Sequence, residues 1–218
     1  MEPPSVTNSR RVYVFGSGGH ARVVAEGARA MGLQVAGFLD GDHSRHGQSV
    51  NGIQVLGGLE RVAELSREGV FAMGIGANSA RQAVCLEIET NGGWIISILH
   101  PTAVVAAHTV IERGAYVGPL AVIHVNAQVG RHAIVNTAAI VDHQCVVGDF
   151  AHVSANVILG GGTRVGAGAL VGVGVSTLPD VSIGPWSDIG AGSVVTRDIG
   201  EGVVAYGVPA RTMRRKTS

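Results

Sequence analysis

The chain has 218 residues and a formal net charge of zero, and it is 46% hydrophobic but only 4% aromatic. Val, Ile, Leu and Ala must therefore fill the core, and the 33 glycines follow no G-X-Y period, which excludes collagen. The neutral charge and the single Lys, Lys216, argue against nucleic-acid binding, Schiff-base chemistry and a Walker loop. The two cysteines form no disulfide framework and no apolar run reaches about 18 residues, so we expect a cytoplasmic protein without a membrane partner.

Residues 11–101 alternate between short apolar runs and helix-like stretches. The apolar runs are "RVYVFG", "QVAGFLD", "VFAMGIG" and "WIISILH". The stretches between them are "HARVVAEGARAMG", "LERVAELSREG" and "NSARQAVCLEIETNG". Strands that alternate with helices of about 10–15 residues indicate βαβ units. The pattern therefore predicts an α/β domain with a short parallel sheet of four strands.

The loops after the first three predicted strands carry the polar candidates: Gly16–His20, Asp40–Asp42 and Gly76–Asn78. "GSGGHA" (16–21) fits the G-x-G-x-x-G/A pattern of a phosphate-binding loop, and Asp40 follows it by about 20 residues, where an NAD enzyme binds ribose. In a parallel sheet such loops share one edge, where ligands bind. However, four strands make only one mononucleotide half, which leaves no place for nicotinamide. A loop whose glycines merely tighten a turn stays open as the alternative.

From about residue 103 the sequence repeats with a period of six. Every sixth residue is aliphatic in fifteen of sixteen cases, namely Val105, Ile111, Val117, Ile123, Val129, Val135, Val141, Val147, Val153, Leu159, Val165, Val171, Ile183, Ile189 and Val195, with Thr177 as the exception. The next residue is often Gly, and the residue two before is mostly small. This period predicts a parallel β-helix of triangular cross-section, in which three hexapeptides make one coil. Sixteen repeats make about five coils.

The repeat resembles the left-handed β-helix of hexapeptide-repeat acyltransferases, and "GVPARTMRR" looks like the tail that follows it in that family. "GSGGHA", "FLDGD" and "GIGAN" are similar to one branch, the nucleotide-sugar N-acetyltransferases of the bacillosamine and perosamine type, which acetylate 4-amino-4,6-dideoxy sugars and are related to sialic acid O-acetyltransferases. The resemblance implies a flexible N-terminus (1–10), a Rossmann-like nucleotide-sugar-binding half-domain (11–101), a left-handed β-helix that binds acetyl-CoA and carries catalysis (102–200), and a C-terminal tail (201–218). It also implies a homotrimer with a role in O-antigen or polysaccharide synthesis.

Acetyl transfer to an amine needs a base, and histidine is the best suited side chain near neutral pH. Among nine histidines, His143 and His152 lie in one predicted coil and outside the inward register. Positions three hexapeptides apart stack in adjacent coils, which places Gly161 above His143. We expect the missing side chain at Gly161 to leave a slot for a slender group such as the pantetheine arm. Histidines that are merely solvated at corners are the alternative, above all for His124 and His132.

The resemblance assigns roles to the same residues. It makes His143 the base within Asp142-His143-Gln144-Cys145, and it makes His152 the contact to the thioester carbonyl. Relatives often carry Glu where this chain has Gln144, so Asp142 or a water would have to assist. The coenzyme A contacts implied are His152, Gly161, Gly162, Gly172, Val173, Gly190, Pro209 and Arg211. For the nucleotide sugar, the loops at the sheet edge themselves predict the contacts, with the diphosphate near the glycines and the base or ribose on an aspartate. The residues are Gly18, Gly19, His20, Asp40, Asp42 and Asn78.

Two other functions remain at this point. One is O-acetylation of sialic acid or another sugar hydroxyl. The other is a trimeric zinc protein of the carbonic-anhydrase type, for which five histidines are candidates: His108, His124, His132, His143 and His152. The histidine spacing does not show the five-residue pair expected of that class, so we expect no metal.

Overall fold

The structure, a computed structural model, describes residues 11–216 of the chain. These residues form two compact units that divide between Pro101 and Thr102. The flexible N-terminus expected over residues 1–10 lies outside the described residues, as do the last two residues of the tail.

The first unit is built around a short parallel sheet. Its elements in chain order are β1 (Arg11–Phe15), α1 (Gly19–Ala30), β2 (Gln34–Leu39), β3 (Ser49–Val50), β4 (Ile53–Gln54), α2 (Val62–Leu65), β5 (Gly69–Met73), α3 (Asn78–Thr90) and β6 (Ile98–Leu99). The parallel sheet has the order β2-β1-β5. Phe15, Phe38 and Phe71 lie on its three strands and are at most 2% exposed. The few aromatic residues of the chain therefore help to fill this core.

Two predictions for the first unit need correction. The fourth strand, expected over 94–100, is reduced to a parallel bridge between Phe71 and Ile95, followed by the short strand β6. The helix expected over 59–69 is a 3₁₀ turn (Leu59–Arg61) followed by the single turn of α2. Only Val62 and Leu65 of α2 are buried, so the apolar face is too short to stabilise a longer helix.

The second unit is the predicted left-handed β-helix. Its coils consist of short strands, namely β7 (Val104–Val105), β8 (Val110–Ile111), β9 (Tyr116–Val117), β10 (Val122–Ile123), β11 (Gln128–Val129), β12 (Ile134–Val135), β13 (Ile140–Val141), β14 (Val146–Val147), β15 (His152–Val153), β16 (Ile158–Leu159), β17 (Arg164–Val165), β18 (Leu170–Val171), β19 (Ser176–Thr177), β20 (Ser182–Ile183), β21 (Asp188–Ile189) and β22 (Val194–Val195). The first face has the order β7-β10-β13-β16-β19-β22, the second β8-β11-β14-β17-β20, and the third β9-β12-β15-β18-β21. Val122 pairs with Ile140, one coil further along the chain, as the period predicts.

The corners of the β-helix follow the same period. At the third position before each inward residue from Ile111 to Val195, the backbone turns through a positive φ, which is 54–60° at the non-Gly residues. These corner residues are His108, Gly114, Leu120, Asn126, His132, Ala138, Gln144, Phe150, Asn156, Gly162, Gly168, Gly174, Asp180, Trp186 and Gly192. A positive φ at the third residue of a four-residue turn is the type II geometry. Next to most of these corners lies a small buried residue, such as Ala115, Ala133 or Ser193, as the sequence predicts.

The tail adds to the third face of the β-helix. β23 (Val203–Gly207) pairs with β21 in parallel, and β24 (Ala210–Arg215) returns antiparallel to β23. The residues predicted to be a tail are therefore a hairpin that extends the sheet.

Candidate functional site

The glycine-rich loop joins β1 to α1 and is shaped by close backbone contacts. Gly16 has a φ of +100°, and a Cβ there would lie 3.0 Å from the carbonyl oxygen of Gly74. Only Gly fits a position that combines this φ with this approach. Around Gly18 and Gly19, by contrast, a Cβ would meet no atom within 4 Å. The first turn of α1 thus opens onto free space, and its N–H groups can receive an anion.

Asp40 follows β2 and holds this loop in place. One carboxylate oxygen, Oδ2, accepts hydrogen bonds from the N–H (2.9 Å) and the hydroxyl (2.5 Å) of Ser17. The other, Oδ1, accepts from the N–H of Asp42 (3.0 Å). Both oxygens are thus engaged within the protein, and contact with a ribose or base by Asp40 stays a prediction.

Asp42 caps the 3₁₀ turn His43–Arg45. Its Oδ1 accepts from the N–H (3.0 Å) and the hydroxyl (2.6 Å) of Ser44, and these bonds lower the pKa of the exposed carboxyl. Arg45 lies beside it, 3.4 Å from Asp42 Oδ2, and donates to the hydroxyl of Ser17 at 3.1 Å. No motif in the sequence singles out Arg45, although it is a half-exposed cation that contacts the glycine-rich loop.

Arg81 organises the third loop, between β5 and α3. Its side chain lies inside the unit with 1% exposure and donates to the carbonyls of Ile75 (3.1 Å) and Gly76 (2.9 Å) and to Oδ1 of Asn78 (2.9 Å). Burial lowers the pKa of the guanidinium to about 10, so it stays charged at neutral pH. Arg81 was not predicted as a site residue, since nothing in the sequence pattern separates it from the exposed arginines.

The three predicted loops meet at one edge of the sheet. Ser17 contacts Asp40, and the Cβ position at Gly76 lies 4.0 Å from Cβ of His20. Asn78 begins α3 beside this group. The prediction that these loops share an edge is therefore confirmed by the contacts. The edge offers open helix N–H groups and fixed loops, an arrangement suited to a phosphate-bearing ligand.

His143 lies at an exposed corner between the first and second faces of the β-helix. Its Nδ1 is 3.2 Å from Oε1 of Gln144, and this amide oxygen can only accept, so a neutral ring that makes this bond has its proton on Nδ1. The other nitrogen, Nε2, then holds the lone pair that a base requires. Asp142 bonds to the backbone instead, since its Oδ1 accepts the N–H of His143 at 2.7 Å. Gln144, rather than Asp142, is the partner of the ring.

Gly161 makes room for the ring of His143. A Cβ at Gly161 would lie 2.5 Å from Cε1 and 2.7 Å from Nε2 of the imidazole. The expectation that Gly161 leaves a slot for another group needs correction, because the imidazole itself fills that space. Gly162 follows at the corner with a φ of +71°, and its N–H donates to the carbonyl of His143 at 2.9 Å. The stacking of the two coils is as predicted.

His152 begins β15 on the third face, and its Nε2 lies 3.3 Å from the amide nitrogen of Asn136. In a triangular coil the corner of His143 lies opposite the third face. One chain therefore places the two histidines on different sides of its β-helix. Asn136 was not singled out from the sequence, although it directly follows β12, the strand that pairs with β15 in the adjacent coil.

The glycines assigned to coenzyme A are explained by packing. A Cβ at Gly172 would lie 2.5 Å from the carbonyl of Ile189, and one at Gly190 would lie 2.7 Å from Cβ of Tyr206. Val173 is 54% exposed. Pro209 and Arg211 lie exposed at and after the turn between β23 and β24. Their contacts with coenzyme A stay predictions.

The other candidate residues differ in burial. His108 and His124 are exposed, as expected for solvated positions, but His132 is only 1% exposed and stacks on Phe150 at a centroid distance of 5.0 Å. The solvated interpretation of His132 is therefore wrong. Within residues 11–216, no group of three or more His, Cys, Asp or Glu is arranged to hold a metal ion. Cys145 is fully buried and donates to the carbonyl of Gly160, and burial raises the pKa of its thiol to about 11, which makes it a poor nucleophile.

No helix in the described part of the chain combines the length and the apolar character that a membrane crossing requires. A parallel α/β unit with a phosphate-type loop edge, followed by a left-handed β-helix with a histidine at an exposed corner, defines a hexapeptide-repeat protein equipped for acyl transfer.

Comparison with known proteins gives the family. A model of the PglD N-terminal domain matches residues 11–88. A histidine-to-asparagine variant of perosamine N-acetyltransferase from Caulobacter crescentus, in complex with CoA and GDP-perosamine, is 36% identical with a TM-score of 0.89, and the match covers 93% of this chain and 96% of that one. The acetyltransferase domain of PglB from Neisseria gonorrhoeae FA1090, in complex with acetyl coenzyme A, is 33% identical with a TM-score of 0.88, and the match covers 94% and 99%.

A curated relative, uncharacterized protein L142 of Acanthamoeba polyphaga mimivirus, is 29% identical over 115 residues. The match covers 52% of this chain and 22% of L142, so it spans about a fifth of that protein's length. Together with the two solved structures, the fold and the site place the chain plainly: it belongs to the hexapeptide-repeat nucleotide-sugar N-acetyltransferases. This membership confirms two predictions from the sequence: the family itself, and the enzyme class of acetyl-CoA-dependent sugar N-acetyltransferases.

Proposed function

We propose that the protein transfers the acetyl group of acetyl-CoA to the 4-amino group of a nucleotide-linked 4-amino-4,6-dideoxy sugar, with His143 as the general base. The observation that carries the proposal is the contact of His143 Nδ1 with Gln144 Oε1 at 3.2 Å. A neutral imidazole that donates from Nδ1 to this oxygen keeps its lone pair on Nε2, at an exposed corner of the β-helix. The relatives in complex with CoA, acetyl-CoA and GDP-perosamine support the choice of substrates.

The reaction needs no covalent enzyme intermediate. The amine nitrogen bonds to the thioester carbon, the C–S bond breaks, and Nε2 of His143 accepts the proton that the nitrogen loses. The imidazolium can then give a proton to the departing thiolate, which balances the step. The N–H of Gly161 beside the ring and the imidazole of His152 are the groups we assign to the developing oxyanion.

The nucleotide is assigned to the loop edge of the first unit. The open N–H groups at Gly18 and Gly19 receive the diphosphate, and the fixed loop at Asn78 is the candidate contact for the rest of the nucleotide. The internal bonds of Asp40 support a structural role for its carboxylate in shaping Ser17. Asp42 and the neighbouring Arg45 are more exposed and are better placed to meet a ligand.

A homotrimer is part of the proposal. One chain presents His143 at one corner and His152 on the opposite face, so a site that uses both must combine two copies. A groove between neighbouring β-helices would do so, and it would bring the exposed Val173 within reach of coenzyme A. The cytoplasmic location and a role in polysaccharide synthesis stay predictions.

The test is a substrate screen. Purified protein is given acetyl-CoA and a thiol reagent, with GDP- and UDP-linked 4-amino sugars and free sialic acid as separate acceptors. We expect thiol release and an N-acetylated product with a nucleotide-linked 4-amino sugar. Release with free sialic acid alone would assign the protein to O-acetylation instead.

A further inference from the structure

Thr177 is the single polar residue among the sixteen inward positions of the β-helix. Its side chain is 8% exposed and lies near Thr163, which is fully buried. The two hydroxyl oxygens are 2.8 Å apart. An aliphatic side chain occupies the other fifteen positions, so packing alone gives no reason for a hydroxyl at this one.

The hydroxyl replaces a main-chain acceptor. At equivalent corners the N–H after the inward residue donates to a carbonyl in the next coil, as Gly148 does to Val165 and Gly166 to Ile183, both at 2.8 Å. At Gly160 the N–H donates to Oγ1 of Thr177 instead, at 2.9 Å. The strand pairing of β16 with β19 accordingly covers only Ile158 and Ser176. The ladder is interrupted at this one step of the first face.

The interruption lies directly under the proposed base. Gly160 begins the turn whose next residue, Gly161, packs against the imidazole of His143. Other bonds tie the same turn to its neighbours: Cys145 Sγ donates to the Gly160 carbonyl at 3.2 Å, and the Asp180 N–H donates to the Gly161 carbonyl at 2.8 Å. Moving Gly160 would therefore move the surface on which the ring rests.

We propose that Thr177 is a positioning residue: from inside the β-helix, its hydroxyl holds the Gly160–Gly162 turn at the height that places the His143 imidazole. The hydroxyls are consistent with a directed chain in which Gly160 N–H donates to Thr177, Thr177 donates to Thr163, and Thr163 donates to the Leu178 carbonyl (3.4 Å). Losing the Thr177 hydroxyl would leave the Gly160 N–H in the protein without its acceptor, and the turn would shift to recover one. The inference rests on the proposed role of His143.

The test compares Thr177→Val, which keeps the shape and removes the hydroxyl, with Thr177→Ser, which keeps the hydroxyl. Ser187→Ala is the matched control, because Ser187 is also fully buried and donates to a backbone carbonyl, that of Gly200, at 2.6 Å in another turn. The first readout is the NMR signal of the His143 Cε1–H group, assigned with His143→Asn. We expect it to shift in Thr177→Val and to stay in place in Thr177→Ser and Ser187→Ala. An unchanged signal in Thr177→Val overturns the proposal.

The second readout is kinetic. In Thr177→Val we expect kcat to fall roughly 10-fold, while both KM values stay within about 2-fold of the wild type. A misplacement of about 1 Å can cost roughly 100-fold in rate, so the expected loss corresponds to a smaller shift of the ring. In the His143→Asn background the same change should cause a clearly smaller loss than in the wild type, because the part of the effect that acts through the ring is already gone. An additive loss, or a shifted His143 signal with unchanged kcat, contradicts the inference. Full activity of His143→Asn would instead refute the proposed base, and the NMR readout would still decide whether Thr177 places the ring.

Discussion

At the residue scale, the imidazole of His143 has two neighbours with different effects. Gln144 Oε1 can accept a hydrogen bond from Nδ1 and so orient the ring, and Gly161 provides the space in which the ring lies. The relatives that carry Glu at the position of Gln144 would place a negative charge there. An amide orients the ring equally well but stabilises the imidazolium less, because it carries no charge.

Gln144→Glu tests this difference. A carboxylate beside the ring stabilises its protonated form, so the acid limb of the kcat/KM profile should move to higher pH, while the profile remains bell-shaped or sigmoid. Gln128→Glu adds the same charge at another exposed position of the β-helix and should leave the limb in place. Superimposable profiles for Gln144→Glu and the wild type would show that Gln144 does not contact the working imidazole.

The sequence predicts which residues of a coil point inward and which point outward, but it does not predict which side chains touch one another. His143 and His152 are outside the inward column, and this follows from the period of six alone. The hydrogen-bond partner of the His143 ring depends on the rotamer of that side chain. The same rotamer places the ring in the space at Gly161, so the expected slot there is filled. His132 is buried because Phe150 occupies the same corner of the next coil and stacks above it. That spacing was visible in the sequence and could have predicted the stack.

At the element scale, the loop edge of the first unit depends on groups that lie behind it. Asp40 fixes Ser17 from β2, and Arg81 fixes the third loop from α3. The alternation of strands and helices predicted that the loops share an edge. It could not predict the burial of Arg81, because that burial depends on the tertiary packing of α3. Nor could it predict that the helix at Val62–Leu65 would be so short.

Arg81→Met should weaken the third loop. It removes a buried charged donor from three acceptors, and we expect a loss of about 2–4 kcal/mol in the free energy of unfolding. The KM for the nucleotide sugar should rise, with the KM for acetyl-CoA little changed. Denaturant unfolding and steady-state kinetics measure the two effects. The exposed Arg67→Met serves as the control; equal stability of both variants would contradict the role of Arg81.

At the scale of the whole molecule, the β-helix was the most predictable part, because one inward residue in six determines the coil. The corners and the pairing of each strand with its counterpart in the next coil follow from the same period. The hairpin of β23 and β24 could not be predicted from this period, because its residues do not follow it. The pairing of β23 with β21 depends instead on the sheet edge that the last coils present.

The assembly can be tested by complementation. His143→Asn and His152→Asn should each be nearly inactive alone. If each site takes His143 from one copy and His152 from a neighbour, a 1:1 mixture refolded or expressed together regains up to about a quarter of wild-type activity, since random mixing gives that share of intact sites. A mixture as inactive as its components would show that both histidines of a site come from one chain.

The central claim is that His143 is the base in acetyl transfer to a nucleotide-linked amino sugar. The direct measurement is kcat of the wild type and of His143→Asn with acetyl-CoA and the nucleotide-linked 4-amino sugar that the screen identifies. We expect kcat to fall roughly 10²–10⁴-fold in His143→Asn, the range that general base catalysis supplies, with little change in KM. Wild-type turnover by His143→Asn would contradict the claim.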